Sequence, residues 1–319
     1  MEVSPDTLSF LEKSALPWVQ YKLTKMREPE SPQLAAYKQA ILEDGRVQGL
    51  IDTCLAWPEP SLTRHNDAKH PLHQMNLLLD LGLHNTDAPI RQIAEKILDT
   101  QDESGAFPSL VMIPTHFGGS GNPEMQWMLC DFPLLLNFLI RAGYAEDPRL
   151  RRGIGLLAEL AQENGWRCRG SVAKFRGPGK KEDHCPFATL TALEVFSLLP
   201  EFHGEPFVRA GVDAICGHWT HRQERKIYLF GMGTDFAKLK YPCVWYDTIH
   251  VCRVLSRFSY ARDTAAFSDM MGGILSKQVP GGGFIPESVY MAYKSWDFGR
   301  KKEPSPTLTL AVYEMTQAV

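Results

Sequence analysis

Six stretches of the chain share one pattern, a polar or proline-containing start followed by a dense apolar run. They open near Asp6 (DTLSFLEKSALPWVQYKL), Asp67 (DAKHPLHQMNLLLDLGL), Glu124 (EMQWMLCDFPLLLNFLI), Asp183 (DHCPFATLTALEVFSLL), Asp247 (DTIHVCRVLSRF) and Pro304 (PSPTLTLAVYEMTQ). Successive starts lie 61, 57, 59, 64 and 57 residues apart. Between them run SPQLAAYKQAILEDG, DAPIRQIAEKILDT, DPRLRRGIGLLAELAQ, EPFVRAGVDAICGHW and RDTAAFSDMMGGILSK. In these the apolar residues recur at three- and four-residue spacing, as a helix with one buried face requires. The first set predicts inner helices covered on every side, and the second predicts the outer helices that cover them. A unit of inner helix, loop, outer helix and loop, repeated about six times, predicts an all-α chain. Its expected form is an α/α toroid, an (α/α)6 barrel with six inner and five to six outer helices and a cavity at the mouths of the inner ones. The whole span 1–319 is expected to be one domain. Two strand signals, KIYLFG and ESVYMAY, are short and isolated.

Composition sharpens this picture. The chain has 319 residues, 44% of them apolar, enough for a sizeable core. A net charge of −3 gives no bulk attraction for nucleic acid or an anionic membrane surface. The most apolar stretch, MQWMLCDFPLLLNFLI, carries Asp131, Pro133 and Asn137, so it reads as a buried helix and not a membrane span. The first residues lack the basic and apolar regions of a secretory signal. Seven cysteines, at 54, 130, 168, 185, 216, 243 and 252, are odd in number and scattered. Together these features predict reduced thiols in a cytoplasmic protein, most of them serving as small buried hydrophobes.

The links after the outer helices carry a further pattern. Gln101-Asp-Glu-Ser-Gly105-Ala-Phe107 reads Q-x-x-x-G-x-F, with looser copies at Gln162–Trp166 and Gln278–Phe284. Glycine lets the chain turn after a helix, and the aromatic is expected to plug the gap between repeats. From about residue 45 onward this resembles the QW-type repeat of terpene cyclases and the glycine-rich turns of protein prenyltransferase β subunits.

Candidate chemistry lies at two inner-helix starts, Lys180-Lys181-Glu182-Asp183-His184-Cys185 and Asp247-Thr248-Ile249-His250-Val251-Cys252. In a toroid both starts face one rim, and Asp, Cys and His are zinc-compatible donors. The resemblance gives them roles. Protein prenyltransferase β subunits hold catalytic zinc with an Asp-x-Cys pair on one inner helix and a His on the next, in a local Asp-x-x-His-x-Cys setting. Here Asp183-x-Cys185 is followed after 65 residues by His250, within Asp247-x-x-His250-x-Cys252. The resemblance thus implies a Zn2+ ion on Asp183, Cys185 and His250. It also implies that Arg176, Lys180 and Lys181, with Lys240, meet an isoprenoid diphosphate. The reaction it implies is attack of a zinc-held thiolate on C1 of the allylic diphosphate, with the thiol carried by a small molecule or a peptide. Trp127, Phe132, Trp245, Tyr246 and Trp296 are expected to line the hydrocarbon cavity. The sequence departs from the family in three places. Pro186 stands where a Tyr usually follows the zinc Cys, His116-Phe117-Gly118-Gly119 only echoes an earlier His-Gly-Gly, and no module like the family's helical partner subunit is present.

Plainer roles stand beside these. Asp183, Asp247, Asp67 and Asp6 all suit helix N-caps, Cys185 suits core packing, and His250 suits a hydrogen-bonded buried site. His65, Asp67, His70 and His73 offer a second metal or substrate cluster, or a capped helix start. Arg300-Lys301-Lys302 suits a solvated loop or a phosphate clamp. Two further functions compete with the transferase. One is a terpene cyclase-like enzyme, although the Asp-x-Asp-Asp and Asp-Asp-x-x-Asp motifs are absent. The other is a non-catalytic toroid that binds a lipid or peptide.

Overall fold

The structure is a computed structural model that describes residues 2–175, 177, 179–180 and 182–317. It is mostly helical. In chain order the helices are α1 (Asp6–Glu12), α2 (Pro17–Arg27), α3 (Gln33–Glu43), α4 (Gly45–Leu55), α5 (Pro71–Asp80), α6 (Ala88–Leu98), α7 (Phe132–Leu139) and α8 (Pro148–Glu159). There follow α9 (Pro186–Phe196), α10 (Pro206–Thr220), α11 (Thr234–Ala237), α12 (Thr248–Leu255), α13 (Ser259–Arg262), α14 (Ala265–Leu275) and α15 (Pro306–Gln317).

The apolar helices of the repeat are α2, α5, α7, α9, α12 and α15. Proline sits in the first turn of α2, α5, α7 and α9, and α15 begins on one. Its fixed φ suits that position, and its missing N–H would have no helical partner there. Every residue of α7 and α9 is buried, as is all of α5 except Asn76 and all of α12 except Arg253. Consecutive members pack on one another, α5 on α7, α7 on α9, α9 on α12, α12 on α15 and α15 on α2. Past the end of α5, Gly82 meets the Tyr21 ring of α2. Its φ of +97° and a Cβ that would stand 2.6 Å from that ring admit only glycine. The remaining long helices cover this set, α6 and α8 on α7, α10 on α9 and α14 on α12. Their buried faces show the expected spacing, for example Ile90, Ile93, Ala94 and Ile97 in α6.

The interhelical turns follow the Q…G…aromatic pattern. Gln101 Nε2 donates to the carbonyls of Gly105 (2.8 Å) and Arg149 (2.6 Å), and Gln278 Nε2 donates to that of Gly282 (2.8 Å). Phe107, Trp166 and Phe284 are fully buried. Trp166 stacks on Phe196 at 5.8 Å and gives its indole N–H to the Leu157 carbonyl at 2.8 Å.

Several expected helices differ, and the one read from Asp67 begins at Pro71, capped by His70. The helix read from Asp6 is two helices, because Pro17 cannot donate into a helix running through it. The segment read as helical from Glu124 begins as a strand, Pro123–Gln126, paired antiparallel with Ser109–Met112. The helix there waits for Phe132-Pro133. The helix read from Asp183 begins at Pro186, since the residue before proline is pushed out of the helical region. Of the two expected strand segments, one holds only an isolated bridge, Ile227 to Phe230, and the other a short 3-10 turn at Met291–Tyr293.

Candidate functional site

Beside the starts of α7 and α9 three cysteines converge. The sulfurs of Cys130, Cys168 and Cys185 lie within 4.8 Å of one another, and among the described residues this is the group of His, Cys, Asp or Glu close enough to share a metal ion. Each thiol comes from a different segment, and backbone bonds hold the segments in register. The Leu129 N–H donates to the Arg169 carbonyl at 2.8 Å, beside Cys130 and Cys168. The Cys185 N–H, at the start of α9, donates to the Trp166 carbonyl at 2.7 Å. The Thr191 hydroxyl donates within α9 to the Phe187 carbonyl at 3.1 Å and lies 3.4 Å from the Leu129 carbonyl.

The three thiols differ in charge preference. Contact with the Cys130 and Cys168 thiols pulls the Cys185 thiol well below its ordinary pKa, and the amides of Ala188 and Phe187 at the start of α9 assist. The proton is retained on the neighbours, and Cys130 is pushed well above its ordinary value by contact with Cys168 and Cys185 and by burial. This is what three close thiols do when only one can ionise at little cost.

All three cysteines line a cavity of about 240 Å³ whose other walls include Leu62, Val111, Met128, Phe175, Phe230 and Trp245. His65 is also on the wall, with Nδ1 against the buried Asp131 carboxylate at 2.7 Å. No Lys or Arg among the described residues lines this cavity. Leu229, at its edge, is 71% exposed.

Of the three zinc ligands expected from the sequence, only Cys185 is in the cluster. The Asp183 carboxylate accepts from the Arg225 guanidinium, and the Asp183 carbonyl accepts from the Tyr228 hydroxyl at 3.2 Å. Nor is Asp183 a helix cap, since α9 starts three residues later. His250 is 1% exposed, with Nδ1 on the Trp245 carbonyl at 2.9 Å and Nε2 on Glu194 Oε2 at 3.3 Å. Both ring nitrogens are therefore engaged. Burial works against its protonation, but the Glu194 carboxylate outweighs burial and raises its pKa. Asp247 does cap α12, accepting from the His250 N–H at 3.0 Å.

The other expected residues scatter. Arg176 and Lys181 lie outside the described residues, and Lys180 is exposed. Lys240 lies in an adjoining pocket that shares Leu229, Phe230 and Trp245 with the thiol cavity, its ammonium 3.5 Å from the Tyr290 ring centroid. Trp245 lines both the thiol cavity and the Lys240 pocket, while Tyr246 lines only the latter and meets His218 Nδ1 through its hydroxyl at 3.0 Å. Trp127, Phe132 and Trp296 are core residues. His70 caps α5 through Nδ1 and donates from Nε2 to the Pro60 carbonyl, so both its ring nitrogens are engaged, and His73 donates from Nε2 to the His65 carbonyl. Arg300 pairs with Glu303, and Lys301 and Lys302 are exposed.

Sequence reasoning missed Cys130 and Cys168 as site residues, because no local spacing links cysteines 38 and 17 residues apart along the chain. It also missed a buried ionic cluster at the C-terminal ends of α5 and α12. There Asp80 accepts two bonds from Arg253 (2.8 and 2.9 Å), one from Arg141 (2.5 Å) and one from the Tyr241 hydroxyl (3.0 Å). Glu194 lies 3.6 Å from Arg253. The signal was available, since Asp80, Glu194 and Arg253 are lone charges in otherwise apolar helices.

No protein-family model matches the chain, and no curated protein matches it in sequence. Among solved structures the chain is similar to the apo type II terpene cyclase MstE from Scytonema, at 12% identity and a TM-score of 0.31. That match covers 86% of this chain and 98% of the other.

Proposed function

We propose that residues 1–319 form one α/α toroid that binds zinc through Cys130, Cys168 and Cys185 and uses it to activate a thiol for S-alkylation by a hydrophobic donor. The observation that carries this reading is the convergence of three thiols on an apolar cavity. In a tetrahedral zinc–thiolate site the sulfurs stand about 3.8 Å apart, as Zn–S bonds of roughly 2.3 Å require. Three sulfurs within 4.8 Å need only a small closure to reach that spacing. Three protein ligands leave the fourth position for a substrate.

A bound zinc ion supplies the charge that keeps an incoming thiol deprotonated near neutral pH. The chain's residues do the rest. The three cysteines present their sulfurs at the cavity floor. Met128, Phe230 and Trp245 hold the hydrocarbon of the donor and keep water away. The thiolate sulfur forms a bond to carbon while the leaving group departs with its electron pair. An isoprenoid diphosphate is a fitting donor for the apolar part. Its charged end would lie at the mouth, since no described cation lines the cavity. That same lack of cations favours a second reading, in which the cavity carries an apolar ligand without reaction.

Metal analysis and alkylation together test the proposal. Protein expressed with ample zinc is expected to hold about one ion per chain. Serine in place of any of the three cysteines is expected to remove it, and chelation to open these thiols to iodoacetamide. Incubation with prenyl diphosphates and a small thiol then reads diphosphate release. Folded, zinc-free protein from zinc-replete cells would refute the metal site. Zinc without turnover of any donor would leave the carrier reading in place of the enzyme.

A further inference from the structure

At the other end of the bundle, away from the thiols, lies a second cavity of about 380 Å³. It opens where the inner helices finish. Asp80 is the last residue of α5, Arg253 lies in the last turn of α12, and Arg257 stands just beyond it. Arg141 follows α7, and Glu314 is in the last turn of α15. Lys22 comes from α2.

Charge around this cavity does not balance. Lys22, Arg141, Arg253 and Arg257 line it, against Asp80 and Glu314 alone. Lys22 is paired with Glu314 at 2.6 Å, and Asp80 is shared by Arg141 and Arg253. Glu194, behind the wall, is shared between Arg253 and His250. Arg257 is left over. Its guanidinium donates to the Ser197 hydroxyl at 3.2 Å, and no carboxylate among the described residues pairs with it. The carbonyl ends of the helices draw cations to this place, and Arg141 does reach the Asn76 carbonyl. That accounts for the gathering of arginines but leaves the space between them open. Burial and the neighbouring Arg253 lower the pKa of Arg257 to about 10, which shows how poorly its charge is matched. Even a half-buried charge without a partner is costly, and a counter-ion relieves it.

We propose that this cavity is an oxyanion-binding site, in which Arg257, Arg253 and Arg141 receive the phosphate or carboxylate group of a small organic anion. Guanidinium forks suit planar and tetrahedral oxyanions. The cavity exceeds one phosphate, and Met26, Ala311 and Met315 give it an apolar side for the rest of the ligand. The site is independent of the thiol cluster, so either can fail alone.

The test uses the full chain at constant ionic strength, titrated with inorganic phosphate and with citrate by calorimetry and thermal melting. Saturable binding of at least one is expected, at least tenfold weaker in Arg257→Met and partly restored in Arg257→Lys. Arg257→Met is expected to melt at or above the parent in anion-free buffer, because it removes an unmatched charge. Binding of phosphate alone identifies a phosphorylated ligand, and of citrate alone a polycarboxylate. No saturable binding of either anion, equal binding by Arg257→Met, or a loss of anion-free stability in that variant would overturn the proposal.

Discussion

Replacing Asp80 by Asn tests the idea that a buried ionic knot ties the ends of α5, α7 and α12 together. The substitution keeps the shape and one acceptor oxygen but removes the charge. Asp80 takes three N–H bonds from two guanidinium groups and one from the Tyr241 hydroxyl. The side chains of Asp80, Arg141 and Arg253 are 8, 15 and 13% exposed, so solvent screens little. Without the carboxylate the two arginines face each other, with Glu194 at 3.6 Å as the remaining counter-charge. Removing one partner of a buried pair costs about 3–5 kcal/mol, a large share of a typical stability of roughly 5–15 kcal/mol. At roughly 2–4 °C per kcal/mol for large domains, the melting temperature should fall by roughly 6–20 °C. The exposed pair Arg149–Asp99 is the control, and Asp99→Asn should change stability by less than about 0.5 kcal/mol. Urea unfolding followed by circular dichroism in a phosphate-free buffer measures both. The pH dependence has a fixed sign. Burial alone would raise the Asp80 pKa, but Arg253 and Arg141 hold it far below the usual carboxylate range. Its contribution is therefore complete above the unfolded pKa near 3.8 and fades as pH falls below it. The gap between parent and variant should be constant from pH 7 to about pH 5 and shrink in stronger acid. A loss under about 1 kcal/mol at pH 7 would refute the reasoning.

Three further substitutions, at two positions, probe the turn after α8. Trp166→Ala should cost about 3–5 kcal/mol from lost burial and the cavity left behind, whereas Trp166→Phe, which loses chiefly the 2.8 Å bond to Leu157, should cost about 1–2 kcal/mol by chemical denaturation. Gly165→Ala forces a side chain into φ +102° with its Cβ 2.7 Å from Thr189 Oγ1, so about 2–3 kcal/mol should be lost, and an unchanged midpoint would show that the turn relaxes.

Much of the architecture was legible along the chain. Periodicity distinguishes a one-sided helix such as α6 from an all-round buried one such as α9, because burial is set by which faces meet other helices. The Q…G…aromatic turns were legible for a similar reason. A glycine φ, a glutamine bond to a nearby carbonyl and a plugging ring are local events, and they recur at residues 101–107, 162–166 and 278–284. Helix starts were less secure where the deciding partner was remote. Pro123–Gln126 is a strand only because Ser109–Met112 lies beside it.

The candidate site shows the limit most clearly. Residue type and order made Asp183, Cys185 and His250 a plausible metal set, but order fixes neither direction nor competing partners. Arg225 takes Asp183, and Glu194 with the Trp245 carbonyl takes His250. Cys185 instead meets Cys130 and Cys168, which approach from other segments. The chain by itself determined the helices, their buried faces and the turns, because those depend on neighbours a few residues away. Only the tertiary structure decided which thiols and which charges meet, because those encounters depend on how separate segments pack in three dimensions.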